Sequence, residues 1–366
     1  MLYAFAIALI SNRNGVNEKM KKLIFLIVAV ATVTTVALCF TSCSKKQDDS
    51  WKTNEKYDLS LPTLSKDGWY LVFEDDFDGD GINQNIKFGE NYTGNKEIWT
   101  YSPHAIRWES NNKNKPEQAC YWCPNMVEVK DSKLIVHSRY EDNHKCDGDC
   151  PAKGRFTSGI ETREIVGDNN NNKGTAEKML FSQAYGYFEV KAKFPKSKGL
   201  WSAFWLQSSN MRKVGNNGKD GTEIDVFESA FLNSKTSKMG HCLLWDGYGK
   251  HADSSPYVTD LEQNLYDGFH TYSLKWTPEY YVFYIDGEPT WATSDGDVSR
   301  VKEFLRLTVE IDAGDGWGPH AQKIGKFDDT KAADDFEVEY IKVYQNSNYE
   351  QYIQDDSEFS GSVDLN

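Results

Sequence analysis

Three carboxylates lie close together in the segment GKDGTEIDVFESA, residues 218–230: Glu223, Asp225 and Glu228. The Ile, Val and Phe residues between them are typical of β-strands, in which successive side chains point to opposite faces. Glu223 and Asp225 would therefore share a face, whereas Glu228, at an odd offset, would lie on the other. A β-bulge around 226–227 adds one residue and would bring all three carboxylates to the same face.

Two carboxylates on one face of a concave strand could cleave a glycosidic bond. Retaining glycosidases use a pair of carboxyl groups about 5–5.5 Å apart. Glu223 would be the nucleophile and Glu228 the acid/base, its pKa raised by burial and by neighbouring negative charge. Asp225 would assist by hydrogen-bonding the nucleophile. The alternative is a solvated strand face that happens to be acidic, and spacing alone leaves both interpretations open.

The rest of the chain has the pattern of an all-β domain that could position such a strand. Short runs rich in aromatic and β-branched residues are separated by Gly, Asn, Asp and Pro, as in YGYFEVKAKFP, LWSAFWLQ, FHTYSLKWTP and YYVFYIDG. Many short strands with turn signals predict a sandwich or barrel, which can reach this length as one domain. Aromatic residues make up 14% of the sequence, enough for a large core and for a groove lined with rings.

Charge and the two termini limit the partners and the extent of the domain. The formal net charge of −14 argues against nucleic acid or anionic lipid as a binding partner. The run MKKLIFLIVAVATVTTVALCFTSC from Met20 predicts a secretory signal, with a transmembrane anchor as the alternative because the apolar run is long. We interpret 1–19 as a misassigned start, 20–42 as the signal, 43–65 as a polar tether, 66–346 as the catalytic domain and 347–366 as a polar tail.

The hexapeptide EIDVFE resembles the catalytic signature of glycoside hydrolase family 16, in the bulged form of its laminarinase-like branch. The segments WYLVFEDDFDG, YGYFEVKAKFPKSKGLWSAFWL, GFHTYSLKWTPEYYVFYIDG and FEVEYIKVYQ resemble other strands of that family, so the resemblance covers about 68–345. It implies a concanavalin A-like jelly-roll sandwich of two curved antiparallel sheets, with a substrate cleft on the concave face. It also implies retaining, endo-acting hydrolysis of a β-linked polysaccharide.

The substrate stays open, because the sequence departs from the family pattern beside the nucleophile. The loop GNNGKDGTE lacks the Trp-Pro common in laminarinase-like members, and GLWSAFW has Ser where they have Pro. We expect a β-glucanase cutting β-1,3 or mixed β-1,3/1,4 linkages. The alternatives are an endo-β-galactanase acting on agar-type or host mucin- or keratan-type glycans, and a non-catalytic glycan-binding protein. The intact carboxylates disfavour the last of these.

The same resemblance places several side chains in the cleft, as contacts for sugar rings or as neighbours of the acid/base. The residues are Trp201, Trp205, His241, Trp245, Tyr248, His251, Asn114 and Glu117. For each of the first two indoles the competing interpretation is a place in the sandwich core. For His241 the competing interpretation is a hydrogen-bonded structural residue.

Cysteines and acidic residues outside this cleft predict stabilising features. Two close pairs, Cys120 with Cys123 and Cys146 with Cys150, predict two disulfides of open connectivity in an exported protein, with a four-cysteine zinc site or free thiols as the alternatives. Cys242 is interpreted as a buried apolar residue. No cofactor is expected for catalysis. By resemblance, a structural calcium ion would bind at Asp76 and Glu339.

Export is also predicted by resemblance. The ending FTSC resembles a bacterial lipoprotein box in which Cys43 carries the lipid, and the following SKKQDDS resembles export signals of surface lipoproteins in the Bacteroidetes. We therefore expect a lipoprotein of the outer membrane, exposed on the cell surface. A glycan-uptake system at that surface would be its partner.

Overall fold

The computed structural model describes residues 48–103, 105–108, 120–146, 148, 150–166, 176–228, 237–311 and 327–363. The predicted signal and two predicted cleft residues, Asn114 and Glu117, lie outside these ranges. Within them, no helix has the length and apolar character needed to span a bilayer. The helices are short 3-10 turns at Ser50–Thr53, Pro124–Met126, Ser209–Arg212, Asn217–Asp220, Glu350–Tyr352 and Asp356–Glu358.

Twenty-three strands make up almost all of the regular structure described. They are β1 Trp69–Asp75, β2 Lys87–Phe88, β3 Thr100–Tyr101, β4 Ala105–Trp108, β5 Cys120–Trp122, β6 Val127–Val129, β7 Leu134–Glu141, β8 Gly154–Thr157, β9 Gly159–Glu161, β10 Arg163–Val166, β11 Ala176–Met179, β12 Gly186–Lys193, β13 Leu200–Gln207, β14 Lys213–Val214, β15 Glu223–Glu228, β16 Lys238–Trp245, β17 Asp253–Asp260, β18 His270–Trp276, β19 Tyr281–Ile285, β20 Glu288–Thr293, β21 Phe304–Ile311, β22 Asp334–Asn346 and β23 Ser362–Val363.

Two large sheets form the sandwich. One has twelve strands in the order β20-β19-β18-β12-β22-β7-β8-β5-β4, with β1, β2 and β6 pairing off this path. The other has seven strands in the order β17-β16-β15-β13-β21-β9-β3 and carries the three carboxylates. Pairing within both is antiparallel except between β5 and β8, which are parallel. The predicted all-β jelly-roll architecture is confirmed, with that one parallel pair as a departure.

The space between the sheets is filled by aromatic and aliphatic side chains contributed by both. Phe188 and Val343 of the larger sheet and Phe204 and Leu307 of the smaller sheet are fully buried in one continuous cluster. Each such side chain contributes about 1.5–3 kcal/mol through removal from water. In the smaller sheet these core residues alternate with residues of the cleft face, so β13 and β21 contribute to both the core and the site.

The segment before the first strand is packed on the domain, so the prediction of a tether extending to residue 65 is wrong. Trp51 is buried, and its indole N–H donates to the Tyr257 hydroxyl at 3.1 Å. The ammonium of Lys275 donates to the backbone oxygens of Ser60, at 2.7 Å, and Asp58, at 2.5 Å. The polar composition of this segment predicted a free tether, but Trp51 anchors it and its backbone carbonyls accept hydrogen bonds from the buried Lys275.

The predicted loose C-terminal tail is likewise wrong up to residue 363. Tyr349 and Ile353 pack against the core, and β23 pairs with β14. The side-chain amide of Asn210 donates to the Asp356 carbonyl at 2.9 Å. The chain after the closing strand therefore braces the loop that follows β13.

Candidate active site

A β-bulge lies at the centre of the candidate site. In the pairing of β13 with β15, Trp205 is opposite Asp225 but Phe204 is opposite Phe227, so Val226 is the extra residue. The same shift appears against β16, between Asp225 and Glu228. Val226 and Phe227 both join the core between the sheets. The predicted bulge is confirmed, and it places Glu228 on the same face as the other two carboxylates.

Cross-strand neighbours identify this face as the one turned away from the core. Residues directly opposite each other on adjacent strands point the same way. The neighbours of the carboxylates on β13 and β21 are Trp201, Ala203, Trp205, Arg306, Thr308 and Glu310. Glu223 and Glu228 keep partial contact with solvent, whereas Asp225 between them is buried. The arrangement is a polar cleft floor with two reachable carboxyl groups.

The Glu223 carboxylate is held by two donors that converge on one oxygen. The side-chain amide of Gln207 donates to Oε2 at 2.9 Å, and the Tyr248 hydroxyl donates to the same atom. Burial raises the pKa of Glu223, while the Tyr248 hydrogen bond and the charges of Arg306 and Arg212 oppose that rise. These contacts favour the ionised form and leave the other oxygen of the carboxylate available as a nucleophile.

The Glu228 carboxyl has a different environment. Its Oε1 accepts a hydrogen bond from the indole N–H of Trp201 at 2.9 Å. Burial raises the pKa of Glu228 to about 7, the Trp201 hydrogen bond opposes this, and the nearby Glu223 charge adds to it. A carboxyl group that keeps its proton near neutral pH can act as a general acid. The two glutamates thus differ in the way that separate acid and nucleophile roles require.

The two tryptophans of β13 have different roles. Trp201 is only 3% exposed, so its ring has no free face for a sugar, and it positions Glu228 instead. The prediction that it contacts substrate by stacking is wrong. Trp205 is half-buried, donates to the Thr308 hydroxyl at 3.0 Å, and carries the Arg306 guanidinium 4.0 Å from its ring centre. Trp205 remains the indole with surface available to a ligand.

The placement of His241 and Trp245 in the cleft is wrong. Glu223 pairs with Leu244 and Asp225 with Cys242, so the alternate residues of β16, namely His241, Leu243 and Trp245, face the core. Trp245 belongs to the core cluster. A face assignment from the sequence required the register of β16 against a bulged strand, which its residues do not reveal.

His241 instead supports the bulge from the core side. Its Nδ1–H donates to the carbonyl of Val226, the extra residue, at 2.7 Å, and its Nε2 accepts from the Thr290 hydroxyl at 3.0 Å. Burial lowers the pKa of His241 to about 4, so the ring is neutral at physiological pH. His241 is therefore the hydrogen-bonded structural residue of the alternative interpretation, and its hydrogen bond to Val226 stabilises the bulge.

The remaining site residues are two predicted ones in the loop after β16, Tyr248 and His251, and two that the sequence did not predict, Gln207 and Arg306. Tyr248 is half-buried and bonds to Glu223, so it contacts a catalytic candidate directly. His251 is exposed in the turn before β17, and its contact with sugar stays a prediction. Gln207 and Arg306 were missed; Gln207 lies two residues after Trp205 on the same strand face, a signal that could have identified it.

The cysteines are arranged differently from the prediction of two disulfides. None of the five described cysteines forms a disulfide. Cys120 packs with Leu200 and Ile311, whereas Cys123 belongs to a separate cluster with Cys146 and Cys150. The three-residue offset from Cys120 to Cys123 places the two side chains on opposite faces of an extended segment. Cys242 is buried as expected.

The two predicted calcium ligands each form an ion pair, and calcium binding there stays a prediction. Asp76 forms an ion pair with Lys87, and Glu339 forms one with Lys191 at 2.6 Å. Among the described residues, neither carboxylate belongs to a group of three or more side chains able to bind a metal. Each is neutralised by an ammonium group, so no step is assigned to calcium.

The sequence matches the family model described as Glycosyl hydrolases family 16 over residues 118–342, which is more than half of the chain. A Beta-glucanase of Acetivibrio thermocellus is 27% identical over 228 residues, which is 62% of this chain. The match spans 55% of that relative's own length, so this chain covers about half of it.

Solved structures share the fold. An endo-acting O-glycanase of the human gut microbiota that initiates mucin breakdown aligns with a TM-score of 0.56 at 19% identity, covering 83% of this chain and 98% of its own. The laminarinase catalytic domain of Thermotoga maritima aligns with a TM-score of 0.51 at 22% identity, covering 76% and 99%. At these identities the likeness concerns the architecture alone.

Proposed function

This chain belongs to the glycosyl hydrolases of family 16, and on that premise we propose that it is a retaining, endo-acting β-glycanase that hydrolyses internal linkages of a β-glucan. The observation that carries the proposal is the bulge at Val226, which brings Glu223 and Glu228 to one face in opposed environments. The β-glucan substrate is supported by the relationship to the beta-glucanase of Acetivibrio thermocellus.

In the first step, Glu223 attacks the anomeric carbon as the bond to the leaving oxygen breaks, and Glu228 gives its proton to that oxygen. The donors from Gln207 and Tyr248 fix the attacking carboxylate. In the second step, Glu228 takes a proton from water as the water displaces Glu223, which restores both residues. Two inversions at the same carbon give net retention, and no external oxidant or cofactor is required.

We propose that Asp225 keeps the titrations of Glu223 and Glu228 apart. It is buried between the glutamates on the same face. A carboxyl group at this position can share a proton with its neighbour while Glu223 alternates between charged and glycosylated forms.

The test is a depolymerisation panel with the purified chain on laminarin, mixed-linkage β-glucan, agarose, keratan-type glycan and mucin, with products separated by chromatography. We expect oligosaccharides of intermediate length from a β-glucan, since endo-cleavage shortens chains internally. Products only from agarose, keratan-type glycan or mucin would replace the β-glucan by a galactan-type substrate and keep the mechanism. Binding without cleavage of any polymer would overturn the enzymatic proposal in favour of glycan binding.

The pH profile follows from the environment of Glu228. Since its pKa is about 7 and its protonated form is the acid, kcat/KM is expected to fall as pH rises through about 7. Trp201→Phe removes the hydrogen bond that lowers this pKa, so the basic limb should move to higher pH while the acidic limb stays in place. A pH–rate series on the preferred glucan measures both limbs, and an unmoved basic limb would contradict the assignment.

We further propose that Cys43 carries a lipid that anchors the protein at the outer membrane, facing the polysaccharide outside the cell. The FTSC sequence after an apolar run supports this. Cys43→Ala is expected to move the protein from the membrane fraction to the soluble fraction and to abolish labelling by a fatty-acid analogue. Unchanged membrane retention of this variant would contradict the anchor.

A further inference from the structure

Four metal-ligating side chains converge at the end of the larger sheet, away from the three carboxylates. Cys123, His144, Cys146 and Cys150 each offer one ligand atom, and these four atoms all lie within 4.8 Å of one another. We propose that they bind a single structural zinc ion. The set differs from the four cysteines considered from the sequence, because His144 takes the position expected for Cys120.

The distances suit a tetrahedral ion. Zinc binds sulfur at about 2.3 Å and nitrogen at about 2.0–2.1 Å, so tetrahedral ligand atoms lie roughly 3.3–3.8 Å apart. His144 Nε2 lies 3.2 Å from Cys123 Sγ, close to this spacing. The remaining sulfurs, within 4.8 Å, need to move by at most about 1 Å to close around the ion.

The histidine is held in the tautomer that a metal requires. Its Nδ1–H donates to Glu141, which in turn pairs with Arg139 at 2.7 Å. The lone pair of Nε2 therefore points toward the three sulfurs. The imidazole also stacks on Phe156, with ring centres 3.7 Å apart. A carboxylate behind a ligating histidine is the usual second layer of a zinc site, where it fixes the ring and raises its basicity.

The backbone supports the same arrangement. Cys123 follows β5, and its N–H donates to the Thr157 carbonyl at 2.9 Å. His144, Cys146 and Cys150 all lie in the connection between β7 and β8, where the His144 N–H donates to the Ala152 carbonyl at 2.6 Å. The ion would thus tie this long connection to the end of β5.

The ligand composition favours zinc over disulfides and over a catalytic metal. Three cysteines cannot all be paired with one another, and Cys120 is unavailable because it packs on the other side of the strand with Leu200 and Ile311. Three thiolates and one imidazole form a closed tetrahedral set, typical of structural sites that leave no position for water or substrate. The ion would contribute folding free energy rather than chemistry.

A path of contacts joins this site to the cleft. Trp122, which precedes Cys123, donates from its indole to the Val309 carbonyl at 2.8 Å. The Arg306 guanidinium lies 5.6 Å from the Trp122 ring centre and 4.0 Å from that of Trp205. The proposed ion would therefore lie one residue away from a tryptophan that contacts the same guanidinium as Trp205.

The experiment uses the full chain, purified without chelator or metal-affinity resin, with zinc measured by elemental mass spectrometry. We expect about one zinc per chain for the wild type and for the control Cys120→Ser, and at least a fivefold lower content for Cys146→Ser and for Cys150→Ser. The two replaced cysteines are half-buried, so these variants are the least disruptive to the fold. Replacing zinc by Co²⁺ should give thiolate charge-transfer and tetrahedral visible bands that both variants lose.

Unfolding supplies a second readout that does not depend on activity. A strong chelator should lower the Tm of the wild type and of Cys120→Ser by several degrees and leave the Tm of Cys146→Ser unchanged. Wild-type protein with neither zinc nor a cobalt spectrum would overturn the proposal, as would a disulfide joining two of the three cysteines in non-reduced peptide mass spectra. Unchanged zinc content in Cys146→Ser and Cys150→Ser would overturn it as well.

Discussion

Glu223→Gln is expected to lower kcat on the preferred polysaccharide by about 10⁴-fold or more, because a carboxamide cannot form the glycosyl-enzyme intermediate. The replacement keeps the size of the side chain and can still bond to Gln207 and Tyr248. The fold should therefore survive, and substrate binding should change little. Turnover measured by release of reducing ends, together with Tm and binding to the polymer, separates loss of chemistry from loss of structure.

The matched control is Glu288→Gln, the same substitution on an exposed position of β20 in the other sheet. It should retain wild-type turnover. If Glu223→Gln keeps more than a few per cent of wild-type activity, Glu223 is not the nucleophile, and Asp225, buried beside it, becomes the candidate to test.

Glu228→Ala is expected to lower turnover of the polysaccharide by about 10²–10⁴-fold, because the sugar leaving group then departs without a proton. An aryl glycoside with an acidic leaving group does not need that proton. Its first step should remain fast, and the glycosyl-enzyme should accumulate. Comparison of burst kinetics on the aryl substrate with steady-state turnover of the polymer measures this difference.

A small anion should rescue the same variant. Azide can enter the space left by the Glu228 side chain and attack the intermediate without base assistance, giving a glycosyl azide of retained configuration. Equal losses on the aryl and polymeric substrates, or no azide product, would assign the acid/base role elsewhere. Glu310→Gln, a change in another acidic residue on the same concave face, tests whether any such residue would give this signature.

The parts of the site carried by one strand could be predicted from the sequence. Alternation in β15, with one odd offset, was enough to require a bulge near Val226 and to place the three carboxylates on one face. The raised pKa of Glu228 was also predicted and is confirmed. The side chains that hold Glu223 could not be predicted, because Gln207 and Tyr248 come from a neighbouring strand and a loop.

Features that depend on the register between strands could not be predicted from the sequence. His241 lies on the core side because β16 pairs with a strand that carries an extra residue, whereas the family resemblance had placed it in the cleft. The cysteine pattern failed for a related reason. Spacing grouped Cys120 with Cys123, whereas strand geometry separates them and chain reversal brings His144 to Cys123. Ligand sets and cleft walls are properties of the tertiary fold.

The packing of Trp51 against Tyr257 sets how far the domain can travel from an anchor. With the proposed lipid at Cys43, seven residues lie between the anchor and Trp51, the first buried side chain in the described part of the chain. The eight Cα–Cα steps give a reach of at most about 29 Å at full extension. A free segment to residue 65 would have allowed about 79 Å. The volume that the domain can reach above the membrane is therefore smaller, by a factor of about 20, than it would be with a free segment to residue 65, because volume grows with the cube of the reach. With that proposed anchor, the short connection would keep the catalytic cleft close to the membrane surface.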